Sequence, residues 1–309
     1  MVIRRARLGS LKIGVLYFLL ASGAPHADGD FGHRILGTVG MDAGSQPLEG
    51  VYVGERLINY RSDEWRNQSG HSVTRPGFSS DALASITGVS GTYEVSEGFY
   101  YSAALAAPLV SVKRSTVDPP SSFEAFGFGD LFIEPLMLGW RFGRADVTAS
   151  YAVYAPTGQI AHTGLGQSQW TQQVSVGGTA FFDDERSWRL SALTSYNMYG
   201  QKKSIDVKQG DTIQIQGGMG RRFFGMLDAG IAGYVLWQVA QDQGQAIPAA
   251  LAARSEYVAG IGPELGLTIP SIGSRLTARY EWDLAAESRL YGQVLVVSLS
   301  VAGWRPDSP

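Results

Sequence analysis

Near its C-terminal end the chain alternates with a period of two: Leu276, Ala278, Tyr280 and Trp282 fall between Arg275, Thr277, Arg279, Glu281 and Asp283. Successive side chains of a strand point to opposite faces, so one face here is apolar and the other charged. Tyr257, Ala259, Ile261, Pro263, Leu265, Leu267 and Ile269 face away from Gly260, Gly262, Glu264, Gly266 and Thr268 in the same way. Thr212, Gln214 and Gln216 alternate with Ile213 and Ile215. The last such segment sets Leu295, Val297, Leu299 and Val301 against Gln293, Ser298 and Ser300, with Val294 and Val296 blurring its polar face.

The same rule applied along the chain predicts about twelve strands, near 50–61, 83–95, 98–112, 129–142, 145–155, 170–182, 187–199, 211–222, 226–239, 255–269, 274–286 and 289–302. The number is even, and most segments have the ten or so residues that cross a bilayer at a tilt. Connections sort by parity. Those at 62–82, 113–128, 156–169, 200–210 and 240–254 are long, and those at 96–97, 143–144, 183–186, 223–225 and 270–273 are short, with the last, near 286–288, a short exception. Outer-membrane barrels pair short periplasmic turns with long external loops, whereas a soluble sandwich has no reason to sort its loops this way. The expected fold is all-β: a transmembrane antiparallel β-barrel of about 12 strands with both termini in the periplasm. Aromatic residues near predicted strand ends, among them Tyr60, Trp140, Tyr154, Trp170, Trp188, Tyr199, Trp237, Tyr257, Trp282 and Trp304, are expected to form an interfacial girdle.

Composition agrees. Hydrophobic residues are 44% and charged ones 17% of the 309 residues, yet no stretch after the N-terminus approaches the 18 or so apolar residues of a spanning helix. Arg4, Arg5, Arg7 and Lys12 precede a short apolar run, Ile13 to Ala21, the pattern of a signal peptide cleaved after Ala24 or Ala27. Its removal takes four positive charges and no negative ones, moving the formal charge from −3 to about −7. An acidic chain without basic runs is a poor nucleic acid binder. Absence of cysteine excludes a disulfide-knotted scaffold. The expected organisation is a signal peptide at 1–27, an N-terminal segment at 28–49 that is either a periplasmic arm or a plug, the barrel at 50–304 and a tail at 305–309.

One stretch carries a resemblance. Gly127-Phe128-Gly129-Asp130-Leu131-Phe132-Ile133-Glu134-Pro135-Leu136-Met137-Leu138-Gly139-Trp140, followed by Tyr151-Ala152-Val153-Tyr154-Ala155-Pro156-Thr157-Gly158, resembles the outer-membrane proteins assigned to the MetA pathway of phenol degradation. Supporting pieces are Gln46 to Tyr52, Asn59-Tyr60-Arg61, Gly262 to Gly266, Arg279 to Trp282 and Ala286 to Arg289, so the similarity covers roughly 37–302. The resemblance implies an outer-membrane barrel of a Gram-negative bacterium, found with aromatic degradation genes, that takes up hydrophobic substrates and catalyses no established reaction. Barrels of this kind commonly end on an aromatic residue read by the assembly machinery, whereas here Trp304 is followed by Arg305 to Pro309.

Asp130, Phe132 and Glu134 share one face of a predicted strand. Facing the lumen, the two carboxylates either bind a cation or polar substrate group, or pair with lumen arginines. Pro135 then removes a ladder donor and predicts a bulge. Arg279, Glu281 and Asp283, with Glu264, Arg189 and Asp146, form further inward rows, since a basic residue facing lipid at midplane costs roughly 2–4 kcal/mol. Such rows either set selectivity or knit a salt-bridge network. A hydrolase would need its histidine from His33, His71 or His162, none beside a nucleophile motif, so no enzyme is expected. With no cysteine and scattered histidines, neither a metal site nor a cofactor is expected. Gly37-Thr38-Val39-Gly40 and Gly217-Gly218-Met219-Gly220 do not sit between a strand and a helix, so phosphate binding is not implied. The expected function is a channel for small hydrophobic or aromatic compounds, lined by Asp130, Phe132, Glu134, Arg189, Glu264, Arg279, Glu281 and Asp283. The expected partners are outer-membrane lipid, the substrate and the assembly machinery. The alternatives are a structural or adhesive barrel acting through its loops, and a surface enzyme.

Overall fold

The computed structural model describes residues 33, 36–158, 165–203, 205–247 and 254–306. The expected signal peptide and His162 lie outside the described residues. Thirteen strands follow in order: β1 (Gly50–Arg66), β2 (Ser79–Ser96), β3 (Phe99–Thr116), β4 (Ser121–Phe128), β5 (Leu131–Phe142), β6 (Ala145–Ala155), β7 (Thr171–Phe181), β8 (Trp188–Tyr199), β9 (Thr212–Phe223), β10 (Leu227–Gln238), β11 (Tyr257–Ile269), β12 (Ser274–Glu287) and β13 (Arg289–Trp304). All pairings are antiparallel, and β1 pairs with both β2 and β13, so the sheet closes on itself, with β4 alone paired on one side only.

Twelve staves make the wall, because β4 and β5 share one. β4 pairs with the outer half of β3, from Leu109↔Phe128 to Thr116↔Ser121, and β5 with its inner half, from Phe99↔Trp140 to Ala106↔Phe132. Sequence reading placed 113–128 in a loop; instead β3 and β4 extend as a hairpin and only 117–120 turn. That segment lacks a clean dyad, and its pairing comes from the long partner strand. Between β4 and β5 the stave breaks at Gly129-Asp130, so Asp130 lies in the break and not on the strand face. Register shifts on both sides of Glu134-Pro135 mark a bulge where the proline removes a ladder donor, as its position predicted.

The connections fall into two classes at opposite ends. Short turns join β2–β3, β5–β6, β7–β8, β9–β10 and β11–β12, and the longer excursions join β1–β2, β6–β7, β8–β9 and β10–β11. The short-turn end is periplasmic on this pattern. At 17, 18 and 18 residues, β1, β2 and β3 exceed what a bilayer needs and stand out at the other end.

Side-chain parity gives an apolar exterior. Val174, Val176, Leu190, Ile231, Leu265, Leu276 and Leu299 are exposed, whereas Thr212, Gln214, Gln216, Glu264, Arg279, Glu281 and Asp283 are buried. Val176 lies at the centre of β7 on the outer face, so Val176→Arg is expected to cost about 2–4 kcal/mol in reversible unfolding from lipid bilayers. Trp170, Trp188, Trp237, Trp282 and Trp304 are exposed, as an interfacial girdle requires. The expected girdle is corrected for Tyr60 and Tyr199, which are buried inward. Each finds a lumen partner for its hydroxyl: Tyr60 donates to Asp283 Oδ2 at 2.8 Å, and Tyr199 Oη lies 3.0 Å from Thr212 Oγ1. Tyr154 also turns inward, stacked on His33 with ring centroids 4.4 Å apart.

Candidate functional site

Residues 36–46 run inside the barrel against its inner wall. Their contacts climb around the inner wall. Gln46 fills the space beside Gly139 of β5, Ser45 Oγ donates to Asp146 Oδ2 of β6 at 2.8 Å, and Gly44 lies against the backbone of Gly178 of β7. Ser191 Oγ of β8 donates to the Gly40 carbonyl at 2.9 Å, and the Met41 amide donates to Glu264 Oε2 of β11 at 2.9 Å. Higher up, the Thr38 amide donates to Gln216 Oε1 at 3.0 Å and Arg279 Nη1 donates to the Gly37 carbonyl at 2.5 Å. A segment with no strand partner thus has its backbone groups satisfied by wall side chains, as burial requires.

The two glycine-rich motifs meet here. Met41 is fully buried, and a Cβ at Gly220 or Gly230 would come within 2.1 or 2.4 Å of its sulfur. Gly218 presses on the Met41 backbone in the same way. These wall glycines leave out side chains so that Met41 can dock. Met41→Ala is expected to free residues 36–46, seen as amide exchange there at least about tenfold faster with the barrel strands still protected.

Around Met41, at the periplasmic end, lies an ion network. Asp228, 0% exposed, pairs with Arg189 at 2.9 Å, Arg222 at 3.0 Å and Arg275 at 2.7 Å. Asp42 of the inner segment bridges two of them, Arg189 at 3.0 Å and Arg275. Neighbouring Asp146 takes Arg186 and, at 3.7 Å, Arg141. Glu264 pairs with Arg279 at 3.3 Å. Sequence reading placed Arg189, Asp146, Glu264 and Arg279 inward, where they are; it missed Asp42, Asp228 and Arg275 as a unit. Asp228 and Arg275 each sit one residue into a strand, a position that parity alone marks as inward.

Further up, the inner wall changes character. Ile58, Tyr60, Tyr234, Leu236, Val258, Leu290, Val294 and Val296 form a buried apolar cluster on the lumen side of β1 and β10–β13, and Leu36 of the inner segment packs into it. Val294 and Val296, which blurred the polar face in sequence, are thus an apolar stripe turned inward. Asp283 closes one side, accepting from Tyr60, from Tyr234 at 2.6 Å and from the Gly292 amide at 2.7 Å. Glu281, one inward position below, is also 0% exposed and has no hydrogen-bond partner on either oxygen.

The opposite wall holds the remaining expected residues. His33 Nε2 lies 3.0 Å from Asp130 Oδ2, its Nδ1 2.5 Å from Thr171 Oγ1. Thr, His and carboxylate in this order resemble a nucleophile, base and orienting group. Thr171 is fully buried, however, and Asp130 also accepts from the Gly158 and Gln167 amides at 2.8 and 2.7 Å, so the set ties the inner segment to the break in the wall. Phe132 packs on Tyr154 at 5.1 Å, and Glu134 hydrogen-bonds Ser150. Asp130, Phe132 and Glu134 therefore do not act as one row: the first anchors, and the other two line the wall below.

A closed antiparallel barrel with apolar exterior, tryptophans at its rims and a polar interior is an outer-membrane β-barrel of a Gram-negative bacterium. The profile of the family described as "Putative MetA-pathway of phenol degradation" matches residues 62–299, and the chain belongs to that family. Among solved structures it is similar to an outer membrane channel from Pseudomonas putida F1, at 16% identity and TM-score 0.73, covering 84% of this chain and 97% of that one. It is also similar to the beta domain of a Bordetella autotransporter, at 10% identity and TM-score 0.51, covering 82% and 100%. No curated protein matches the sequence.

Proposed function

We propose that the protein is an outer-membrane channel for small hydrophobic or aromatic compounds, linked to aromatic degradation, and that its N-terminal segment is a plug. The observation that carries this reading is the inward apolar cluster capped by Leu36. A stave wall in a polar lumen has no folding need for Ile58, Val258, Val294 and Val296 on its inner face, whereas a route for apolar solutes does. On this reading Glu281 and Asp283 border the route on one side and Phe132 and Glu134 on the other, while Asp130, Arg189, Glu264 and Arg279 hold the plug. Family membership and the Pseudomonas channel's fold support the same assignment. Trp304, exposed at the end of β13, is the aromatic residue we assign to the assembly machinery.

The test is entry of labelled toluene and of a hydrophilic control of equal size into liposomes carrying the refolded barrel. Toluene entering faster than in empty vesicles, with the control excluded, is the expected result; equal rates would sink the proposal. The long hairpins of β1–β3 favour a second reading, a barrel that works through external loops without transport. Equal rates would favour it.

A further inference from the structure

We infer that the apolar cluster and Glu281 form a binding site for a small molecule with a compact apolar body and a hydrogen-bond donor head, hydroxyl or ammonium, and that Leu36 occupies this site in the plugged state. The inference rests on the channel reading and adds the site and its ligand class.

Three observations carry it. The first is Glu281. A fully buried carboxylate without a hydrogen-bond partner is costly, and most donors nearby are turned elsewhere: Tyr60, Tyr234 and the Gly292 amide donate to Asp283, Arg279 Nη1 donates to the Gly37 carbonyl, and Arg279 Nε, which makes no hydrogen bond, lies 3.3 Å from Glu264 Oε2. Its oxygens lie against the plug, where a Cβ on Gly37 would stand 2.3 Å from Oε2 and 3.2 Å from Val294 Cγ1. The second is the wall beside it: Ile58, Val258 and Val294 supply an apolar surface, and Leu36 contributes the only part of that surface that is not built into a strand among the cluster's described residues. The third is the backbone at Gly37, whose φ of +69° turns the chain between Leu36, in the apolar cluster, and Thr38, held by Gln216. A side chain at that position is strained and collides with Glu281, so glycine both permits the turn and lets the plug backbone pack directly on the carboxylate.

Charge sets the sign of the ligand. Glu264 is matched by Arg279 and Arg289 by Glu256, at 3.5 Å, Asp283 is satisfied by neutral donors and Glu281 by none, and Arg56 of β1 donates to Ser298 Oγ at 3.1 Å, so besides the Arg289–Glu256 pair three carboxylates, Glu264, Glu281 and Asp283, face two cations, Arg279 and Arg56. The excess is negative, which favours a donor or a cation and disfavours an anion. A ligand whose apolar body replaces Leu36 and whose head donates to Glu281 satisfies the carboxylate and lifts the plug's tip in the same act.

The experiment is calorimetric titration of the full chain, refolded in detergent, with benzylamine, phenol and toluene, each corrected for partition into empty micelles. Benzylamine and phenol are expected to bind about tenfold or more tightly than toluene. Glu281→Gln keeps the shape and removes the charge, so the preference for benzylamine over toluene is expected to fall to within about twofold. Leu36→Ala vacates the apolar site without touching Glu281 and is expected to tighten all three ligands about fivefold. An unchanged benzylamine preference in Glu281→Gln, or no tightening in Leu36→Ala, overturns the inference; Leu36→Ala decides alone if Glu281→Gln does not refold. Benzylamine and phenol preferred equally assigns a shared donor site, and benzylamine alone assigns a cation site. Toluene uptake into liposomes, measured in parallel on the unaltered chain, separates the two levels. Uptake without ligand preference overturns the site and leaves the channel, and preference without uptake overturns the channel while the site stands.

Discussion

Deletion of residues 33–46 is expected to raise the ion conductance of the barrel in planar bilayers about fivefold or more. The segment spans the lumen from β5–β7, through Gln46, Ser45 and Gly44, across β8–β10, at Gly40 and Met41, to β11–β13, at Gly37 and Leu36. A twelve-stave barrel is only slightly wider than those whose side chains fill them, so one chain threaded through it occupies most of the cross-section. The wall keeps its own ladder and its Asp228 ion pairs when the segment is gone, so strand content measured by circular dichroism is expected to be unchanged. Unaltered conductance in a folded deletion variant would contradict the plug.

The second large effect is on stability. Asp228→Ala removes the one carboxylate that Arg189, Arg222 and Arg275 share and leaves Arg189 deeply buried. Breaking a buried pair from one side costs about 3–5 kcal/mol, and because Arg189 and Arg275 keep the half-exposed Asp42 the low end, about 3 kcal/mol, is expected. The expected readout is a matching loss in unfolding free energy from urea titration in lipid. Asp42→Ala, by contrast, truncates a side chain 40% exposed whose arginine partners keep Asp228, and is expected to cost under about 1 kcal/mol while loosening the plug. Equal effects of the two substitutions would show that the network is not centred on Asp228.

Strand number, parity and direction were legible because lipid outside and water inside impose opposite demands on alternate residues, and β12 records them almost without exception from Arg275 to Asp283. Closure, the shared stave of β4 and β5 and the inward turn of Tyr60 and Tyr199 were not. Each depends on which strand lies opposite, information that no local pattern holds. The site was legible in part. Arg189, Glu264, Arg279, Glu281 and Asp283 follow from parity, and all are buried in the lumen. The grouping of Asp130 with Glu134 failed because the break at Gly129-Asp130 and the bulge at Pro135 separate them in a way that counting by two cannot see. Leu36, Met41 and Asp42 were invisible as functional residues: the segment they belong to has no periodicity, and its meaning lies in the glycines and charges it meets across the barrel.

That the plug must yield for a solute to pass is tested most directly by fixing it in place. The chain has no cysteine, so a pair replacing Ser45 and Asp146, whose side chains already meet, introduces a single cross-link between plug and wall. Toluene uptake into liposomes would be followed before and after reduction. Uptake suppressed in the oxidised barrel and restored by the reductant is the predicted result, and the same uptake in both states would contradict it.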